Sequence, residues 1–180
     1  MARPRLATLV LPLVLVAGGL RGARAGSVGD ELRRYYASKA GYRAVKADVL
    51  RWHKTTRNGC VAFASTALRH VGVAIGEHDT IDGEGISRIT RVFVAYLEGE
   101  LGWRRITDAA ELAPGDLVFT TDAPCCPGYP AHVVMFAGWR DRARAIATVI
   151  DNQGWKRRRA MHPPAGSAVD PFAFALRAPP

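Results

Sequence analysis

Cys60, His132 and the pair Asp151-Asn152 are the residues of this chain whose types and order could do covalent chemistry. A free thiol near pKa 8.5 is only a few per cent thiolate at neutral pH, so a nucleophilic cysteine needs assistance. Cys60 follows Asn58-Gly59 and opens an apolar stretch, which puts it at the N-terminus of a helix. Exposed N–H groups and the helix dipole there favour the thiolate and offer donors to an oxyanion. The dipole contributes only about 0.3–1 kcal/mol, so a base is required as well. Taken alone, Cys60 reads as a small buried hydrophobe. His132 changes that reading. It begins the run Val133-Val134-Met135-Phe136, which would hold its imidazole rigidly at the start of a strand. The other histidines are worse placed: His53 and His70 close helical runs, His78 lies in a polar loop and His162 precedes two prolines. Asp151-Asn152 ends the next apolar run, Ile146 to Ile150, where a side chain could orient the imidazole and fix its tautomer. Which of the two does so is open, because a one-residue change of register flips the strand face.

Positioning these groups needs helices first and a sheet afterwards. Asp30 is expected to cap a helix before Glu31 and Leu32, and Ala44 to His53 has helical apolar spacing at Val45, Val49, Leu50 and Trp52. Cys60 to Val71 is apolar on most faces and stops at Gly72, so it should be the buried central helix. Gly76 to Gly85 reads as a loop. Ser87 should cap a further helix, Arg88 to Leu101, with Phe93 and Leu97 in the core and Gly102 as its end. Pro114-Gly115-Asp116 is a turn, Leu117 to Phe119 opens a strand, and Thr120 to Pro130 is a loop dense in proline. His132 to Trp139 and Ala145 to Ile150 form a hairpin around the charged tip Arg140 to Arg144. Trp155 to Arg159 reads as a solvated basic loop, with contact to an anionic wall polymer, lipid or nucleic acid as its functional alternative. Phe172 to Leu176 is one more short apolar run. Without an internal repeat or a linker, this order predicts one α+β domain, N-terminal helices packed on a small antiparallel sheet.

The chain at this point resembles the papain-like cell-wall hydrolases, the NlpC-type peptidases and the related CHAP amidohydrolases. The matching stretches are Asn58-Gly59-Cys60-Val61-Ala62-Phe63, Glu111 to Phe119 (ELAPGDLVF) and Ala131 to Gly138 (AHVVMFAG), followed by the polar end of the next strand. The resemblance runs from about Asn58 to Asn152 and leaves the terminal segments unmatched. It implies a papain-like fold and a thiol hydrolase without a cofactor. Cys60 would attack an amide carbonyl, His132 would act as base and then acid, and the Cys60 N–H would help to hold the oxyanion. The usual target of such enzymes is an amide in peptidoglycan stem peptides or in their link to the sugar. NlpC-type members often have histidine as the third polar residue, so Asp151-Asn152 leans toward the CHAP or papain type. No family aromatic or glutamine precedes the cysteine to complete the oxyanion hole; Asn58 and Trp52 are the nearest candidates.

Three cysteines in 180 residues are too few for a disulfide scaffold. Cys125-Cys126, between Pro124 and Pro127, can close an eight-membered disulfide ring in an oxidising compartment, leaving Cys60 as the free thiol. A zinc site built from these thiols with His132 and His162 lacks ligand spacing, so no metal is expected. Residues 1–25 carry four arginines and no acid around the apolar run Leu6 to Leu20, ending in small-x-small. That is the pattern of a secretory signal, and the run is short for a membrane span. Its removal leaves residues 26–180 as a single domain and takes four arginines from the formal charge, which falls from +9 to +5. The expected location is therefore secreted, periplasmic or at the cell envelope, with no transmembrane span in the remaining chain. Anionic envelope surfaces become better partners for the basic chain than nucleic acid. Two other functions fit the same residues: a noncatalytic envelope-binding module, and a secreted effector using the Cys-His pair for acyl transfer or deamidation.

Overall fold

A computed structural model describes residues 27–180, so the expected export signal lies outside the described residues. Helix α1 (Val28–Tyr35) is capped by Ser27, whose Oγ accepts the Asp30 N–H at 3.2 Å. Asp30, expected as the cap, instead sits in the first turn with Glu31, where acidic groups suit the dipole. Helix α2 (Lys39–Trp52) buries Tyr42, Val45, Val49 and Trp52, three or four residues apart. Leu50, expected on that face, is 43% exposed.

Helix α3 (Cys60–His70) buries every residue from Val61 to Leu68 and is the central helix. The N–H groups of Gly72 and Val73 return to the carbonyls of Arg69 and Leu68, and Gly72 takes φ +94°. This paired C-terminal closure needs a left-handed residue, hence glycine. The expected loop that follows contains a two-residue hairpin, β1 (Thr80–Ile81) with β2 (Glu84–Gly85), around Asp82-Gly83 at positive φ. Helix α4 (Thr90–Gly99) buries Phe93 and Leu97 completely. Ser87 does not cap it. Its Oγ donates to the Gly76 carbonyl at 2.8 Å, tying the hairpin segment to the helix entry.

Six strands form the sheet: β3 (Arg104–Ile106), β4 (Leu117–Thr120), β5 (Val133–Asp141), β6 (Ile146–Asp151), β7 (Gly154–Ala160) and β8 (Phe172–Arg177). Their order is β3-β8-β4-β5-β6-β7, and every neighbouring pair is antiparallel. The α+β expectation therefore holds. The basic segment expected as a loop is strand β7, at one edge of the sheet, where charged side chains also discourage edge-to-edge pairing. Leu117, Phe119, Val133, Met135 and Ile150 point into the core shared with the helices, whereas Val118, Val134, Phe136 and Val149 fill a second core behind the sheet. Entry into β4 is fixed by a turn over Ala113–Asp116, with Gly115 at φ +103° and the Asp116 N–H on the Ala113 carbonyl. Arg177 from β8 grips both carboxylate oxygens of Asp116 at 2.8 Å. Among the described residues, no helix is long and apolar enough to cross a membrane.

Candidate active site

Cys60 is the first residue of α3, and its N-cap, Gly59, supplies no side chain to the helix N-terminus. The first intrahelical acceptor, the Gly59 carbonyl, receives the Phe63 N–H, so the N–H groups ahead of it in the first turn lack an α-helical carbonyl acceptor. Asn58 takes φ +53° and carries the chain into the helix. Its segment is held by the Thr56 carbonyl, which accepts the Gly59 N–H at 3.2 Å and the Asn152 Nδ2 at 2.8 Å.

His132 stands immediately before β5, and Thr120, buried at the end of β4, clamps its backbone. Thr120 Oγ1 accepts the His132 N–H at 2.9 Å, and the Thr120 N–H donates to the His132 carbonyl at 3.1 Å. The His132 Nε2 lies 3.1 Å from Asp151 Oδ2. That contact leaves Nδ1 for Cys60, and the thiol and the imidazole lie close enough for each to shift the other's pKa. Asp151, at the end of β6, has its side chain fully buried. Its Oδ1 accepts the N–H groups of Gln153 and Gly154 at 2.9 and 3.0 Å, and Arg157 reaches Oδ2 at 3.0 Å.

The electrostatics favour an ion pair. Burial pushes the Cys60 thiol up, but the His132 imidazolium and the N–H groups of Val133 and Val61 outweigh it, so its pKa falls below the ordinary value. Burial pushes His132 down, but Asp151 and Cys60 raise it from 6.5 to about 9. Burial likewise opposes ionisation of Asp151, and His132, Arg157 and the Gln153 N–H hold its carboxyl below the usual range. An oriented thiolate–imidazolium pair beside the first N–H groups of α3 is suited to attack on a carbonyl.

Cys60 and His132 open on a cleft of about 510 Å³, also lined by Asn58, Asn152, Tyr129 and three arginines. Of the two residues left open by the sequence, Asp151 meets the imidazole, whereas Asn152 anchors the Thr56 segment. Asn58 lies on the cleft beside Cys60. Trp52 is unsuited to the oxyanion, because its indole N–H is committed to Thr66 Oγ1 at 3.1 Å inside the core. Thr120 is a part of the site that the sequence did not single out, and Arg157, expected in a solvated basic loop, instead reaches Asp151; a polar residue ending an apolar strand was the available signal for Thr120. Cys125 and Cys126 are bonded to each other in the loop before His132, and Cys60 is a free thiol. Among the described residues, no group of three or more His, Cys, Asp and Glu could hold a metal ion. Comparison of the chain with family models, curated proteins and solved structures finds no match in any of the three.

Proposed function

We propose that the protein is an exported cysteine hydrolase of papain-like α+β fold that cleaves amide bonds in peptidoglycan peptides. The observation that carries this reading is the line Cys60–His132–Asp151, seated on the start of α3, the start of β5 and the end of β6, with Cys60 and His132 lining one cleft and Asp151 buried behind the imidazole. The Cys60 thiolate attacks the amide carbonyl, and the N–H groups at the start of α3 receive the developing oxyanion. His132 donates its Nδ1 proton to the departing amine, leaving a thioester on Cys60. The neutral imidazole then takes a proton from water, whose oxygen attacks the thioester and releases a carboxylic acid and the thiolate. Asp151 holds the ring in the tautomer and orientation that these transfers need.

The test is digestion of purified peptidoglycan, with fragments analysed by mass spectrometry. New amine and carboxyl ends should appear with the wild-type protein and be absent with Cys60→Ala. A digest in which the two proteins give the same fragments overturns the proposal.

A further inference from the structure

Three arginines line the cleft beside Cys60, Arg88, Arg157 and Arg159, against one carboxylate residue, Asp170. They are not equivalent. Arg157 is committed to Asp151 at 3.0 Å and to Gln153 Oε1 at 2.6 Å. Arg159 is half-buried, and its guanidinium donates to a main-chain carbonyl, that of Asp170, at 2.8 Å. Burial weakens its charged form, and the nearby carboxylates of Asp151 and Asp170 only partly offset this. Arg88 lies 5.8 Å from the centre of the Trp52 ring, and among the described residues it has no carboxylate partner. Elsewhere Arg51, Arg91, Arg105 and Arg177 each reach a carboxylate.

The charges of the site itself cancel in pairs, thiolate with imidazolium and Asp151 with Arg157. Arg88 and Arg159 remain against the single carboxylate Asp170, so the cleft keeps one net positive charge, with Arg159 partly withdrawn from water. A desolvated cation without an ion partner is costly, and a planar anion that meets its fork with two hydrogen bonds removes that cost.

We propose that Arg88 and Arg159 form an anion clamp, and that the substrate carries a carboxylate close to the amide that Cys60 attacks. This rests on Cys60 being the reactive thiol of the proposed hydrolase. The clamp differs from the residues that do the chemistry: it positions and selects.

The two claims separate in one alkylation experiment, in which the Cys60 thiolate displaces iodide from iodoacetate or from the neutral iodoacetamide. His132 attracts iodoacetate in every variant, so the readout is the change in the iodoacetate-to-iodoacetamide rate ratio on substitution. Arg88→Gln and Arg159→Gln should each lower that ratio about three- to tenfold at low salt, and the double variant more. Arg88→Lys should keep most of it, and added salt should reduce the wild-type ratio. The iodoacetamide rate should stay unchanged, which also certifies folding; if Arg159→Gln alters it, Arg88→Gln alone decides. An unchanged ratio in the variants overturns the clamp while the hydrolase reading stands. An iodoacetamide rate that rises with pH like an ordinary thiol overturns the reactive-thiol reading, whatever the ratio does. In the digest, peptidoglycan whose carboxyls have been converted to amides should be cut about tenfold more slowly than the native polymer by the wild type and not by the double variant. Equal cutting of both polymers by the wild type overturns the substrate assignment.

Discussion

Asp151→Asn tests the ion pair at its support. The raised pKa of His132, 6.5 to about 9, corresponds to roughly 3 kcal/mol in favour of the imidazolium, after burial has acted against it. A hydrogen bond to a charged partner contributes about 1.5–3 kcal/mol. Losing the carboxylate should therefore shift the balance between thiolate–imidazolium and thiol–imidazole by roughly 10- to 100-fold toward the neutral pair. The sign follows from both groups. His132 loses the anion that raised it, so its pKa falls; Cys60 loses part of the cation that lowered it, so its pKa rises. Iodoacetamide alkylation of Cys60 between pH 5 and pH 10 reads the second change: the variant should be slower by about one order of magnitude or more around pH 6–7 and converge with wild type at alkaline pH. The imidazole C–H signal of His132 in carbon-labelled protein, assigned with His132→Gln, reads the first. An Asp151→Asn protein that keeps the wild-type alkylation profile and His132 titration would refute the reasoning.

Asn152→Ala should remove the 2.8 Å bond to the Thr56 carbonyl, cost about 1 kcal/mol and lower Tm by about 2–4 °C, with a smaller effect on alkylation than Asp151→Asn; an equal effect on alkylation would reverse the roles assigned to the two residues. Titration of thiols in denaturant should find one before reduction and three after it, and three before reduction would exclude the Cys125–Cys126 bond. Gly115→Ala should destabilise by about 1–3 kcal/mol or more, because the residue sits at φ +103° and a Cβ there would lie 2.3 Å from the Gly29 carbonyl oxygen. Thermal unfolding checks this, and an unchanged Tm would mean that α1 does not pack on the turn before β4.

The central helix and the β4, β5, β6 and β8 strands are legible in the sequence because each is an apolar run bounded by turn residues. Strand β7 is not, since Lys156 to Arg159 has no apolar alternation; its conformation comes from the ladder to β6, a long-range partner that local pattern does not reveal. Strand β3 has three residues, two of them exposed arginines, and takes its place only through β8. Ser87 has the composition of a cap, yet its hydroxyl finds a better acceptor eleven residues upstream in sequence. Cys60 and His132 stand out because each follows a turn and opens an apolar run. Arg157 is hidden for the reason β7 is hidden.

The choice between Asp151 and Asn152 shows why part of the site lies beyond pattern reading. Strict alternation carried from Ile150, which faces the helices, would bring Asn152 to the helix side and turn Asp151 away. A register shift between Val149 and Asp151 breaks that alternation at the last residues of β6. The carboxylate then meets four donors: the N–H groups of Gln153 and Gly154, the Arg157 guanidinium and the His132 ring. Only an acceptor-only group satisfies all four, because an amide must present its NH₂ to one side of this set. The same carboxylate thus closes the β6–β7 turn and fixes the imidazole. An Asp at this corner is consequently demanded by the turn as well as by the histidine, and Arg157 enters the site as the counter-charge that lets a fully buried carboxylate remain ionised there.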